Sequence, residues 1–181
     1  MNFSTDSLRG LLSSDGLAAG NRWMVVLPPL NGKRKIGGGS PSNYSADDLN
    51  VLCTSARIPG KQLRTIERTV GVVSSRTAVG FEPGDAAFTF YLTHDYTVRK
   101  YFQDWIDCVI SRSPPYDVGF FDEYKGDILV KQLDKKGAHS YTSKLKDAYP
   151  VNIAEVELNN QAQTAALELT VTVSYKDYEV F

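Results

Sequence analysis

The side chains of this chain best suited to nucleophilic, general-base or metal chemistry at neutral pH are two histidines, His94 and His139, and two cysteines, Cys53 and Cys108. His94 falls in THDY, at a strand-to-helix junction where polar residues are expected on structural grounds, and His139 falls in a turn. No serine stands in a GxSxG elbow, and no HExxH or metal-spaced carboxylate cluster occurs. The cysteines sit singly inside apolar patterns without CxxC spacing. They therefore build neither a zinc site nor a disulfide framework and read as buried thiols in a reducing compartment. The stretch GGGS at 37–40 invites comparison with a phosphate cradle. A P-loop needs GxxxxGK[ST] between strand and helix, whereas here Lys33, Arg34 and Lys35 precede the glycines and Ser40-Pro41 follows, so a flexible surface loop is expected. The acidic stretch 117–127, with Asp122, Glu123 and Asp127, lacks calcium-loop spacing. It reads as a polar connection punctuated by Phe120, Phe121 and Tyr124, rings that belong in a core or an interface. No catalytic residue, metal or cofactor is expected, and the chain is expected not to be an enzyme.

Composition points the same way. The 181 residues suit one domain with a sizeable core, or one domain with arms. With 42% hydrophobic and 23% charged residues the balance is that of a soluble globular protein, and a net charge of −1 supplies no basic field for tight nucleic-acid binding. Basic residues are dispersed, without a basic-aromatic platform for single strands. The N-terminus lacks a basic n-region and a long apolar core, so neither a signal peptide nor a membrane anchor is expected.

The elements are predominantly strands. Residues 1–20 read as an N-terminal arm, in which 4–13 is either a short helix, capped by Thr5 or Ser7 with Leu8, Leu11 and Leu12 on one face, or part of the arm itself. The remainder, 21–181, reads as a single domain. Strands are predicted over 22–27, 49–58 and 62–73, with a composition-defined loop at 29–46. A long hairpin or mobile loop is predicted over 70–86. The segment 87–93 alternates cleanly, and one long helix is predicted over 96–111. Its core face holds Val98, Tyr101, Phe102, Trp105, Ile106 and Val109, and Asp95 or Thr97 is placed to cap it. Further strands follow at 128–133, 141–147 leading into 153–158, and 167–175, with turns at 135–137 and 159–164. In the last strand Leu167, Leu169, Val171, Val173 and Tyr175 alternate strictly with Glu168, Thr170, Thr172 and Ser174. One face therefore meets a core and the other meets water. The fold class is α+β, mainly β: an antiparallel β-sandwich or half-barrel with one packed helix. A long, half-solvated strand near a terminus is also an edge hazard, which pairing with another copy removes.

Read in order, several segments resemble the tail tube proteins of contractile-tailed bacteriophages. They are LCTSARIPGKQLRTIE, the helix YTVRKYFQDWIDCV, ILVKQLDKKG, and the ending AYPVNIAEVELNNQAQTAALELTVTVSYKDYE. The counterparts in the ending are Tyr149-Pro150, Ala154-Glu155, the spacer 159–163, the strand 167–175 and Tyr178-Glu179. Residues 29–46 depart from the family, being longer than its tight hairpin.

The resemblance implies hexameric rings in which each subunit lends strands to one barrel of about 24 strands, closed by heterologous contacts and stacked into a tube that conducts DNA during ejection. It implies that Glu168, Thr170, Thr172 and Ser174 face the lumen and that the helix covers the apolar side of the sheet. The segment 70–86 would reach an adjacent ring and the N-terminal arm would touch a neighbour. The implied partners are further copies of the chain, a tail sheath protein, a tape measure protein, a baseplate initiator, a tail terminator and transient double-stranded DNA. The implied location is the virion tail, assembled in host cytoplasm. Close alternatives are a baseplate tube initiator, a tail terminator, or the tube of a contractile injection or secretion machine. An alternative of another class is a small-ligand-binding β-barrel or a cryptic enzyme, either of which predicts a closed monomer with an apolar pocket.

Overall fold

A computed structural model describes residues 20–36, 41–42, 44, 46–57, 60, 62–70, 72–82, 84–112, 114, 116–134, 137–158 and 166–181. The proposed helix at 4–13, the GGGS loop and the turn at 159–164 lie outside them, as do Lys135 and Lys136 of the turn at 135–137. The chain is mainly β, with antiparallel pairing throughout the described strands. In chain order the elements are β1 (Trp23–Val26), α1 (Ala46–Val51), β2 (Cys53–Ala56), β3 (Gln62–Val70), β4 (Val73–Glu82), β5 (Asp85–Tyr91), α2 (Thr97–Val109), α3 (Phe121–Tyr124), β6 (Gly126–Leu133), β7 (His139–Ile153), β8 (Glu168–Ser174) and β9 (Asp177–Val180).

β7 organises the molecule because it belongs to two sheets. Its first part pairs with β6 on one side and β9 on the other, and β1 completes that layer beyond β6. Its last residues pair instead with β8, which continues through β5 to β2. The handover falls at Asp147, which adopts a left-handed φ of 52°, a conformation Asp tolerates because its short side chain bonds locally. Lys125 Nζ lies 3.0 Å from the Asp147 carboxylate, and the Asp147 amide donates to Asp127 Oδ1 at 3.2 Å. A register shift between β6 and β7 at the same place bends the strand into the second layer, the usual device by which one strand turns a sandwich corner. Pro150, which cannot donate to a ladder, stands beside the register shift between β7 and β8.

Between the layers lies the core. β8 contributes Leu169, Val171 and Val173, β5 contributes Ala86, Phe88 and Phe90, and Tyr175 closes one end. The helix α2 adds Val98, Tyr101, Phe102 and Trp105 to this core, and Cys108 of the same helix is also buried. Phe102 meets Phe90 at 5.4 Å between ring centroids, and Tyr101 meets Tyr44 edge-on at 5.5 Å. The polar ends of the two amphipathic rings are satisfied: Tyr101 donates to Pro28 O at 2.6 Å and Trp105 Nε1 to Tyr124 O at 2.7 Å.

Several expectations are corrected. Residues 49–51 finish the short helix α1, and the strand proposed for 49–58 is confined to Cys53–Ala56. β7 is one strand through Ile153, so 154–158 lies beyond it. His139 begins this strand and does not sit in a turn. Neither Asp95 nor Thr97 caps α2. Tyr96 is the N-cap, in a left-handed conformation with φ 53° and without a side-chain cap bond. On the helix, Ile106 and Val109 are half-buried and Cys108 is buried in their stead. After Trp105 a period of 3.6 permits a step of three or four, and the chain takes the step of three. Cys53 is half-buried rather than fully buried.

Candidate functional site

Strict alternation within β5 and β8 generates two unlike faces on the four-stranded layer β7-β8-β5-β2. Their register has no slip over seven pairs, from Asp85↔Ser174 to Tyr91↔Glu168, so each row across this pair is of one kind. On the inner side Phe88 stands opposite Val171 and Phe90 opposite Leu169. On the outer side Thr89 stands opposite Thr170, their hydroxyls 3.2 Å apart, with Thr54 Oγ1 donating to Thr89 O at 3.1 Å. Asn152, Thr172 and Ala87 form a second outer row, and Tyr149, Ser174 and Asp85 a third. Glu168 and Thr170 are exposed, whereas Thr172 and Ser174 are partly exposed. Leu167 is half-buried, while Leu169, Val171, Val173 and Tyr175 are buried. Among the described strand residues of the outer face, the carboxyl groups are Asp85 and Glu168, and neither Lys nor Arg stands among them. The face is thus hydroxyl-rich and, where charged, acidic.

Among the described strands, the same layer has no further partner on either side. Among the described strands, β2 has its partner only in β5, and the 149–153 part of β7 has its partner only in β8. Such edges invite a further strand.

A second exposed feature is the two-stranded sheet β3-β4. The stretch proposed as a long hairpin or mobile loop is the return arm of this hairpin, paired from Gln62↔Glu82 to Val70↔Val73. Every described residue in 62–69 and 72–80 is exposed, including Leu63, Ile66, Val73 and Val79. A lone two-stranded ribbon is marginal in water, so this one needs a surface to lie on.

The loop at 29–46 is held, in its described part, across the solvent side of α2. Lys35 Nζ lies 2.6 Å from Asp104 Oδ1, while the Ser42 amide and Tyr44 hydroxyl donate to Asp104 Oδ2 at 3.1 and 2.8 Å. Lys33 Nζ donates to the carbonyls of Glu123 and Lys125 at 3.3 and 2.5 Å. Burial alone would push Asp104 up, but the bonds from Lys35, Ser42 and Tyr44 outweigh it and hold the carboxyl below its ordinary value. Burial, with Asp104 accepting its proton, pushes the Tyr44 hydroxyl up to about 12.

The residues considered for chemistry are scattered. His94 is fully exposed beside Asp95, at 3.5 Å. Burial pushes the Cys53 thiol up to about 12 and the Cys108 thiol above its ordinary value, so both are protonated at neutral pH. Among the described residues no group of three or more His, Cys, Asp or Glu is placed to hold a metal. No helix among them is long and apolar enough to cross a membrane. What the geometry brings together, among the described residues, is a polar sheet face between two edges without a partner strand.

Comparison with known proteins assigns this arrangement. The family model described as phage tail tube protein matches residues 18–181. The chain belongs to the phage tail tube protein family. No curated protein matches its sequence. The tail tube fold is shared with solved structures of low identity. A chain of the sheath-tube complex of an extracellular contractile injection system in the extended state aligns with TM-score 0.65 and 14% identity, covering 99% of each chain. A chain from the sheath/tube terminator of such a system aligns with TM-score 0.64 and 13% identity over 93% of this chain and 99% of that one. A chain from the tube-terminating cap of the anti-feeding prophage aligns with TM-score 0.64 and 12% identity, covering 91% of each.

Proposed function

We propose that this tail tube family protein is the repeating, non-enzymatic subunit of a tube of stacked hexameric rings, whose channel conducts DNA during ejection. The observation that carries the reading is the four-stranded antiparallel layer with one buried face, one polar face and two open edges. Strand directions alternate across β7-β8-β5-β2. With an even number of strands, β2 of one copy meets β7 of the next in antiparallel sense, and the pattern repeats around a ring. Six copies of four strands make a barrel of about 24, in which every edge is paired.

In that barrel the outer face of the layer becomes the channel wall, so Glu168, Thr170, Thr172 and Ser174 line the lumen together with Asp85 and Thr89. Hydroxyls and carboxylates suit passage of a duplex. A basic wall would hold phosphates by releasing their counterions, whereas a neutral or acidic wall lets them slide. The helix α2 and the loop strapped to it then lie on the outside, toward a sheath protein. A tape measure protein occupies the lumen before DNA does, and initiator and terminator proteins meet the two ends. The virion tail, assembled in host cytoplasm, is the location that accords with these partners.

Size-exclusion chromatography with negative-stain microscopy tests the reading. Rings or tubes about 80–100 Å wide are expected, the order set by strand spacing in such a barrel plus an outer layer. A protein that stays monomeric at high concentration and binds a small molecule saturably would overturn it. Single rings that never stack would identify an initiating or terminating subunit of the same tube.

A further inference from the structure

β6 shields the edge of β7 only as far as the Gly126↔Ala148 pair, and from Tyr149 to Ile153 that edge is open among the described strands. The chain leading into β6 therefore lies where a strand added to β7 must run out. This stretch is an apolar shelf: Phe120 is 80% exposed, Val118 67% and Tyr116 60%. Phe121 and Tyr124 stand edge-on to Tyr149 of the open edge itself, at 6.2 and 5.4 Å between centroids. The shelf is also held in place. Val118 bridges to Ile110, Lys33 binds the carbonyls of Glu123 and Lys125, and Ile36 packs so close to Gly119 that a Cβ there would lie 2.9 Å from its Cδ1. Apolar area that is both exposed and fixed marks a contact surface.

Strand direction identifies the occupant, provided that rings form as proposed above. A β2 strand arriving from the next copy runs antiparallel to β7, and so in the same direction as β6. It enters opposite Ile153 and leaves opposite Tyr149, which aims its Arg57 end at the shelf. The next strand after β2 in the chain begins at Gln62, the root of the β3-β4 hairpin. Charge agrees, because the arriving chain carries exposed Arg57 and Arg64 and the shelf carries exposed Asp117 and Glu123, Asp122 being paired with Lys125 at 2.8 Å. We propose that the shelf Tyr116–Val118–Phe120 seats the root of the next copy's β3-β4 hairpin, with Leu63 of that copy (62% exposed) against Phe120 and Val118. Each subunit thereby stops its neighbour's β2 and sets the direction in which the neighbour's hairpin leaves the ring wall.

The test uses the full chain carrying Leu63→Cys and Phe120→Cys in a Cys53→Ser background, Cys108 being buried. A short bismaleimide is expected to produce a ladder of covalent oligomers ending at six, and either single cysteine variant alone is expected to give no ladder. Separately, Phe120→Asp is expected to raise the concentration needed for ring formation about tenfold or more, the effect of removing an interface anchor, without changing the monomer's thermal midpoint. Wild-type rings that form while the double-cysteine chain gives no ladder and Phe120→Asp assembles normally would overturn the seating and leave the ring reading intact. A wild-type chain that never assembles would overturn both.

Discussion

Val171→Asp and Thr172→Asp place the same carboxyl group on opposite faces of β8. Val171 is fully buried between Phe88 of β5 and Ile153 of β7. Losing its burial costs about 2 kcal/mol. Keeping the new carboxyl neutral at pH 7, about three units above its ordinary pKa, costs about 4 kcal/mol more. The sum, about 6 kcal/mol, is comparable with the whole stability of a domain of this size. Thr172 is partly exposed, between Ala87 and Asn152, and a carboxylate there keeps its water, so the expected cost is below about 1 kcal/mol. Urea unfolding of the monomer, followed by circular dichroism, separates the two. At a slope of about 2 kcal/mol per molar, Val171→Asp shifts the midpoint by about 3 M or leaves no folded baseline, and Thr172→Asp shifts it by less than about 0.5 M. Equal midpoints for the two variants would show that the faces are wrongly assigned, and the channel wall with them.

Two further outcomes test the packing and the strap around α2. A Cβ at Gly126 would lie 2.7 Å from Pro28 Cγ and 3.2 Å from Trp105 Cζ2, so Gly126→Ala should destabilise by about 1–3 kcal/mol in a calorimetric melt. Gly80→Ala, where a Cβ meets nothing within 4 Å, is the matched control, and a Gly126→Ala melt no lower than that of Gly80→Ala would contradict the packing. Asp104 is held below its ordinary pKa in the folded chain, so its bonds to Lys35, Ser42 and Tyr44 stabilise fully above about pH 4 and are lost as pH falls through the lower, folded value. Asp104→Asn should therefore cost about 2 kcal/mol at pH 7 and flatten the acid limb of stability measured from pH 5 down to pH 2. An unchanged acid limb would show that the strap is not anchored through this carboxylate.

The alternation of Leu167 through Tyr175 and the helical spacing of Val98, Tyr101, Phe102 and Trp105 were legible from the chain itself. Both patterns are local, and burying one face of a strand or helix leaves a period that sequence preserves. The run 49–58 misled because a single turn of helix followed by four strand residues is too short for either period to declare itself. Phe120 and Phe121 were recognisable as rings without solvent function, yet their types do not distinguish core from interface. That depended on β6 beginning only at Gly126, which leaves them beside an edge of β7 that no described strand covers.

The loop at 29–46 shows the division most clearly. Its glycines and lysines read as a flexible surface segment, and composition supports nothing more. Its described part is nonetheless tied down, because folding brings Asp104 and the carbonyls of Glu123 and Lys125 within reach of Lys35 and Lys33, about 70 and 90 residues away along the chain. Sequence alone determined which faces are apolar and which are polar. Tertiary structure alone decided which strands share a layer and which edges stay open, because those depend on β7 bending at Asp147 to serve two sheets, a long-range pairing that no local period encodes.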